Sequence, residues 1–330
     1  MIARYAVPFF VIVAFFVIPL VTYFLCRYLM PRRWGRKTGL TIALLLILFA
    51  LYGMFVGYQQ LEIHHYEYSS KDLPAAFDGY RIVQFSDAHI GTMTGNRKWL
   101  LERAVDSILA LRPDMIVFTG DLQNVYPEEL EEHLPQLQRL KAPDGMYSVL
   151  GNHDYPIYEP DDSITKEANA KKTQARERKA GWTLLMNEHR IIHRDSDSII
   201  IAGMENWGTV ERMPRKGDVA KTLAGLNLPA FDKKGQEDPL PFIIMLQHDP
   251  TAWREKILPQ CHAQLTLSGH THGGQANVFG FSPAVFGYEE YQGWVNDGSR
   301  AMFISTGLGA LIPFRLGLPG EIVVITLRKQ

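Results

Sequence analysis

Cysteine is nearly absent from this chain: Cys26 lies inside an apolar run and Cys261 far downstream. A disulfide framework is thereby excluded, and any metal site must be built from His, Asp, Glu and Asn rather than from thiolates. An excess of either charge is missing too, with 34 Lys and Arg against 35 Asp and Glu. No global field would draw the protein to nucleic acid, and no nucleic-acid partner is expected. Internal repeats and low-complexity tracts are also lacking.

Apolar sequence, by contrast, is concentrated at the start. It runs from about Ala6 to Leu29 and again from about Leu40 to Gly57, and each run is long enough to cross a hydrocarbon core of about 30 Å as a helix. Arg27, Arg32, Arg33, Arg36 and Lys37 lie between the runs, with Pro31 and Gly35 to break helicity. A cleaved signal peptide fits poorly, because the first run is too long and no small-residue cleavage site precedes the basic turn. Residues 1–58 are therefore expected to form a transmembrane hairpin, with helices at about 6–29 and 40–57, in a multi-pass protein of the cell membrane. The positive-inside rule assigns the basic turn to the cytoplasm and everything after Tyr58 to the opposite side.

Residues 59–78 read as a polar connector, and 79–330 as one domain. Within it, strand-like runs at Arg81–Phe85, Met115–Phe118 and Tyr147–Leu150 alternate with helical spacing at Trp99–Leu111 and Glu128–Leu140. Ile164–Ala180 reads as an exposed helix ending at Gly181. Short strands then dominate, at 183–186, 190–193, 198–202, 242–246, 263–267, 301–305 and 322–327, with a polar surface loop at Asn227–Pro239. Such an order predicts an α/β fold with two sheets packed face to face and covered by helices. The aromatic stretch Ala276–Val295 is expected to be a strand pair with packed rings.

Five clusters of donor residues each follow a strand-like run: Asp87 with His89, Asp121, Asn152 with His153 and Asp154, His248, and His270 with His272. In an extended segment residues i and i+2 share a face, so Asp87 and His89 can reach one ion. Asn152 offers a neutral oxygen, and His153 beside Asp154 has the composition of an oriented acid or base. Singly, each cluster is equally at home in a turn, a cap or a core. Together they make a nitrogen and oxygen set suited to two cations such as manganese, iron, zinc or cobalt.

In this order the five motifs resemble those of the calcineurin-like metallophosphoesterase superfamily, over roughly Arg81 to Arg328. Ser86-Asp87-Ala88-His89-Ile90-Gly91, the Gly269–Gln275 segment, and Arg315-Leu316-Gly317 with Pro319-Gly320-Glu321-Ile322 are similar to its YkuE and YaeI-like branch, where N-terminal anchors occur. The resemblance implies a four-layer α-β-β-α sandwich and two divalent metal ions. By position, Asp87, His89, Asp121 and His272 would hold the first ion, and Asp121, Asn152, His248 and His270 the second. His153 would contact the phosphate or protonate the leaving oxygen, with Asp154 orienting it, and a metal-activated water would attack phosphorus.

The expected function is accordingly a membrane-anchored phosphoesterase acting on a phosphodiester, phosphomonoester or pyrophosphate, a lipid-linked one included because the anchor confines the site near headgroups. A non-catalytic, membrane-tethered module that binds metal or a partner is the alternative.

Overall fold

The computed structural model describes residues 8–159, 163–228 and 240–330. Most of the loop expected at Asn227–Pro239 thus lies outside the described residues.

Helices α1 (Pro8–Leu29) and α2 (Arg32–Phe55) are long and apolar enough to cross a membrane. They meet along a seam of small residues on α2, where Gly35, Gly39, Ala43 and Ala50 are buried and large side chains such as Leu44, Leu48 and Phe49 face outward, while Gly53 is buried against Phe314. Close approach is what the glycines permit: a Cβ on Gly35 would stand 2.6 Å from the Cys26 carbonyl oxygen. Consequently α2 begins at Arg32, not near Leu40 as expected, and the break is confined to Met30 and Pro31.

The stretch read as a polar connector contains a strand, β1 (Leu61–Ser70), paired in parallel with the final strand β12 (Gly320–Lys329). The first sheet continues through β2 (Arg81–Phe85), β3 (Met115–Phe118), β4 (Met146–Ser148) and β5 (Thr183–Leu184), in the order β1-β12-β2-β3-β4-β5. The second comprises β6 (Glu188–Arg194), β7 (Asp197–Gly203), β8 (Ile243–Leu246), β9 (Leu265–Ser268), β10 (Gly293–Asp297) and β11 (Arg300–Ile304), in the order β10-β11-β9-β8-β7-β6.

Period-two alternation sorts the core. Ile82, Met115, Val117 and Ile325 point between the sheets toward Ile201, Ile244, Leu267 and Phe303. Their neighbours Val83, Phe85, Ile116 and Phe118 point outward beneath Leu101, Val105 and Ile108 of helix α3 (Trp99–Ala110). Because both faces are covered, β3 and β8 are buried at every residue and read as continuous apolar runs. Each such side chain contributes about 1.5–3 kcal/mol when fully buried.

Two helical expectations shift. Glu128–Leu140 is a 3-10 segment, Pro127–His133, followed by one α turn, Leu134–Leu137, since Pro135 removes a donor the helix needs. Helix α4 (Ser163–Lys179), expected to be exposed, buries Asn169, Thr173 and Glu177 on one face against the domain. That buried stripe is polar, so no apolar periodicity announces it.

Candidate metal centre

The parallel strands β2, β3, β8 and β9 end at the same edge of the two sheets, and the loops that leave them carry the donor residues. These loops turn at once. Asp87, His89, Asp121, His270 and His272 all have left-handed backbones, with φ between 41° and 76°. Asp87 and His89 therefore converge through left-handed turns and not through the extended geometry expected from their spacing. Residues of this kind sit in αL at a cost, and such strain persists where the surroundings hold it.

Closeness of the loops depends on two residues without a side chain. A Cβ on Gly151 would lie 2.2 Å from Asp121 Oδ1, and one on Gly269 would lie 2.3 Å from Asp87 Oδ2. Glycine at both positions lets the backbone pass directly behind each carboxylate.

All seven expected donors form one connected set. His272 Nε2 lies 3.5 Å from Asp87 Oδ1 and 3.0 Å from His89 Nε2. Asp121 Oδ2 lies between two imidazoles, 3.7 Å from His89 Nε2 and 3.3 Å from His248 Nε2. The latter nitrogen is also 3.2 Å from Asn152 Oδ1 and 3.1 Å from His270 Nδ1. Of the three groups whose donor atoms lie within 4.8 Å of one another, Asp87-His89-His272 and Asp121-His248-His270 draw only on the seven expected donors, and His89-Asp121-His153 lies between them. Asp121 is thus positioned to serve both.

The electrostatics suit cations. Burial lowers His89 to about 3, with His153 adding to the effect, and burial likewise lowers His270 and His272, so these rings are neutral and keep lone pairs for a ligand. Burial would lower His248 as well, but the Asp121 and Asp87 carboxylates and the Thr119 carbonyl outweigh it and raise the ring to about 10. A field that holds a proton there also favours a metal ion in its place. His248 donates from Nδ1 to the Thr119 carbonyl at 2.7 Å, which leaves Nε2 for the centre. Donor types, spacing and this field fit two divalent cations of the nitrogen and oxygen class.

His153 and Asp154 are placed differently from the expected pair. The His153 ring is held by the Asn124 carbonyl, 2.5 Å from Nδ1. Asp154 does not orient it, because its two oxygens accept the backbone amides of Gly151, Asp121, Leu122 and Gln123 at 2.8–3.2 Å. Burial and the neighbouring Asp121 charge raise this carboxyl to about 7, against those amides. The group fastens the Asp121 loop to the Asn152 loop.

The cleft over the centre is also lined by Tyr158, Arg212 and Tyr288. Asn152 donates from Nδ2 to Tyr158 Oη at 3.1 Å, which turns Oδ1 toward His248. Tyr288 Oη lies 2.7 Å from His270 Nε2. Neither tyrosine nor Arg212 stands in a motif, so spacing offers no signal for them.

A family model described as calcineurin-like phosphoesterase matches residues 80–274. The chain is similar to the uncharacterized metallophosphoesterase YkuE of Bacillus subtilis, at 30% identity over 289 residues, covering 84% of this chain and 89% of that protein. It is similar also to a transmembrane protein with metallophosphoesterase domain of Danio rerio, at 29% identity over 303 residues, covering 89% of this chain and 63% of the relative. An uncharacterized metallophosphoesterase of Aquifex aeolicus is 26% identical over 273 residues, covering 82% and 93%.

Proposed function

The chain belongs to the calcineurin-like phosphoesterase family of metal-dependent hydrolases, and from that premise we propose a membrane-anchored, dinuclear phosphoesterase in which Asp121 is shared by two ions. The single observation carrying this reading is Asp121 Oδ2 lying between His89 Nε2 and His248 Nε2. Asp87, His89 and His272 complete one ligand set, and Asn152, His248 and His270 the other. Two divalent cations held there would supply Lewis acidity to a phosphoryl oxygen and acidify a water.

The remaining residues of the site position and protonate. His153 donates from Nδ1 to the Asn124 carbonyl, so a neutral ring presents a bare Nε2 to the substrate, and it passes a proton to the leaving oxygen once Nε2 has taken one up from solvent, a state that burial disfavours and the Asp121 carboxylate favours. Arg212, at the rim, meets the negative charge of the ester. Asp154 keeps the Asp121 and Asn152 loops in register. The bond broken is a phosphodiester, phosphomonoester or pyrophosphate, and the anchor favours an ester at a membrane surface, a lipid-linked one included.

Both helices reach the domain at the same end: the Phe10 ring lies 4.8 Å from that of Phe314, and Arg315 N donates to the Gly53 carbonyl at 3.0 Å. The basic turn is then at the far end, which supports a cytoplasmic turn with the domain on the opposite side. Reporter fusions after Gln330 test this orientation. The hydrolase reading is tested with bis-p-nitrophenyl phosphate and manganese, before and after chelation, on wild type and Asp121→Ala. Metal-dependent turnover that disappears in the variant supports it; metal-loaded wild type equally inert toward mono-, di- and pyrophosphate esters overturns it.

A further inference from the structure

From Ala276 to Gly287 the chain has no charged residue, and the expected strand pair with packed rings does not form there. The stretch is a loop with two isolated bridges, Ala276 to Leu316 and Val278 to Phe281, and a short 3-10 turn at Pro283–Phe286. Its large side chains point away from the domain: Phe279 is fully exposed, Phe286 is 83% exposed, and Val278, Phe281 and Val285 are about half exposed. Elsewhere outside α1 and α2, exposed large apolar side chains among the described residues are scattered along the chain. Five within nine residues make a patch, and a patch of this kind marks a contact surface.

Its location says what covers it. Asn277 N donates to the Leu316 carbonyl at 2.8 Å, and the adjoining Arg315 N donates to Gly53 in the last turn of α2. Phe314 packs on both Gly53 and Phe10. The loop is therefore tied through one short segment to the ends of both apolar helices, beside Phe55 and Val56, which are exposed as well. On its other side Ser282 Oγ donates to the Gly273 carbonyl at 2.6 Å, next to the metal centre. The cleft itself has an apolar wall of Phe10, Ala276, Pro283, Ile312 and Phe314 facing the donor residues.

We infer that residues Val278–Phe286 form a membrane-dipping loop that seats the mouth of the catalytic cleft on the leaflet through which α1 and α2 pass, so that the site receives an amphiphilic phosphate ester from the bilayer surface. The inference rests on the membrane-anchor and phosphoesterase readings above. A neutral, aromatic loop at the exit of a membrane helix has the composition for partition into the interface, and its position lets a headgroup reach the metals while its tail stays along the apolar wall.

The test uses the full chain in phosphatidylcholine and phosphatidylglycerol vesicles, in a Cys26→Ala, Cys261→Ala background that still turns over bis-p-nitrophenyl phosphate. A nitroxide is attached at Phe279→Cys or Phe286→Cys, with Leu45→Cys on α2 and Ile164→Cys on α4 as references. Collision with oxygen and with a water-soluble nickel chelate is then read by power saturation. Loop labels that resemble Leu45, favouring oxygen over nickel, support the inference. Labels that resemble Ile164 overturn it, and so do labels shielded from both reagents, which would mean that protein, such as a second copy, covers the loop. A Leu45 label open to nickel would overturn the anchor reading and this one together.

A second readout separates the loop from the chemistry. Phe279→Ser with Phe286→Ser is expected to slow hydrolysis of a long-chain alkyl p-nitrophenyl phosphate in vesicles on the order of tenfold, with turnover of bis-p-nitrophenyl phosphate unchanged. Equal loss on both esters, or on neither, overturns the inference. Wild type inert toward both esters, with labels still in the bilayer, would instead remove the phosphoesterase reading.

Discussion

His89 Nε2 and His272 Nε2 lie 3.0 Å apart in a buried site, and among the described residues the Nδ1 atom of each ring has no hydrogen-bond partner. Burial keeps both rings neutral. Two neutral imidazoles can share one N–H at this contact, whereas a cation on the Nε2 side would take both lone pairs in place of that close contact, with the proton of each ring on Nδ1. A cation held at this contact would stabilise the folded domain as well as serve the chemistry.

Metal removal should accordingly destabilise the domain. A site filled at 100 times its dissociation constant adds about 2.7 kcal/mol, which for a domain of this size is roughly 5–10 °C in Tm. Thermal unfolding in detergent, with chelator and then with manganese or zinc, measures it. His272→Ala should bind about one ion where the wild type binds about two. An unchanged Tm on chelation and reloading would rule out the centre as described.

If His153 delivers the proton, its importance must depend on the leaving group. A p-nitrophenolate needs little help, while an alkoxide needs a full proton. His153→Asn should lose on the order of 10²–10⁴ in kcat for alkyl esters and far less for p-nitrophenyl esters. The same loss across a leaving-group series would reassign His153 to binding.

Asp154→Asn tests a positioning role. One amide oxygen cannot accept what two carboxylate oxygens accept from four backbone amides, so the Asp121 and Asn152 loops should drift. The expectation is a fall in kcat of about 10- to 100-fold, the kind of loss that follows misplacement of about 1 Å, and a pH–rate profile of unchanged shape. Loss of one limb of that profile would instead show Asp154 exchanging protons in the reaction.

The parts of the fold and site that were legible in the sequence share one property: side-chain identity decides them. Ile82, Val83, Phe85 and Met115 to Phe118 are apolar because both faces of the first sheet are covered, and Asp87, His89, Asp121, His248, His270 and His272 are donor types whose order along the chain marks the candidate centre. What escaped is decided by the backbone or by contacts of low periodicity. Leu61 to Ser70 looks like a connector because an edge strand with one neighbour stays half wet. The partners of His153 and His248 are main-chain carbonyls of Asn124 and Thr119, which any residue could provide. The left-handed turns at Asp87 and His89 likewise leave no pattern.

Glu177 gives a pH dependence of definite sign. It is fully buried, donates nothing and accepts from Ser148 Oγ at 2.6 Å. Burial raises its carboxyl well above the ordinary 4.5, and the Asp154 charge raises it further. Because the folded state holds this proton more tightly than the unfolded one, the residue favours folding increasingly as pH falls from its folded value toward about 4.5. Glu177→Gln carries no such proton. The difference in Tm between wild type and variant should thus shift toward the wild type on acidification, and a difference independent of pH would contradict the assignment.

Arg315 couples the anchor to the metal centre, and its replacement should harm both. The side chain is fully buried and donates to the carbonyls of Thr306, Gly307, Gly309, Leu318 and Pro319. Burial lowers the guanidinium to about 10, so it remains charged at neutral pH. Its own amide binds Gly53 of α2, and the Gly307 it holds packs against Asp87 and His272. Lys has three donors on a single point and cannot span five carbonyls, which leaves buried acceptors unpaired. Arg315→Lys is therefore expected to cost about 3 kcal/mol, roughly 6–12 °C in Tm, and to weaken metal retention at the Asp87-His89-His272 group. Thermal unfolding and metal content of the purified variant measure these effects. A variant with wild-type Tm and a full complement of metal would mean that this loop holds its shape without the guanidinium.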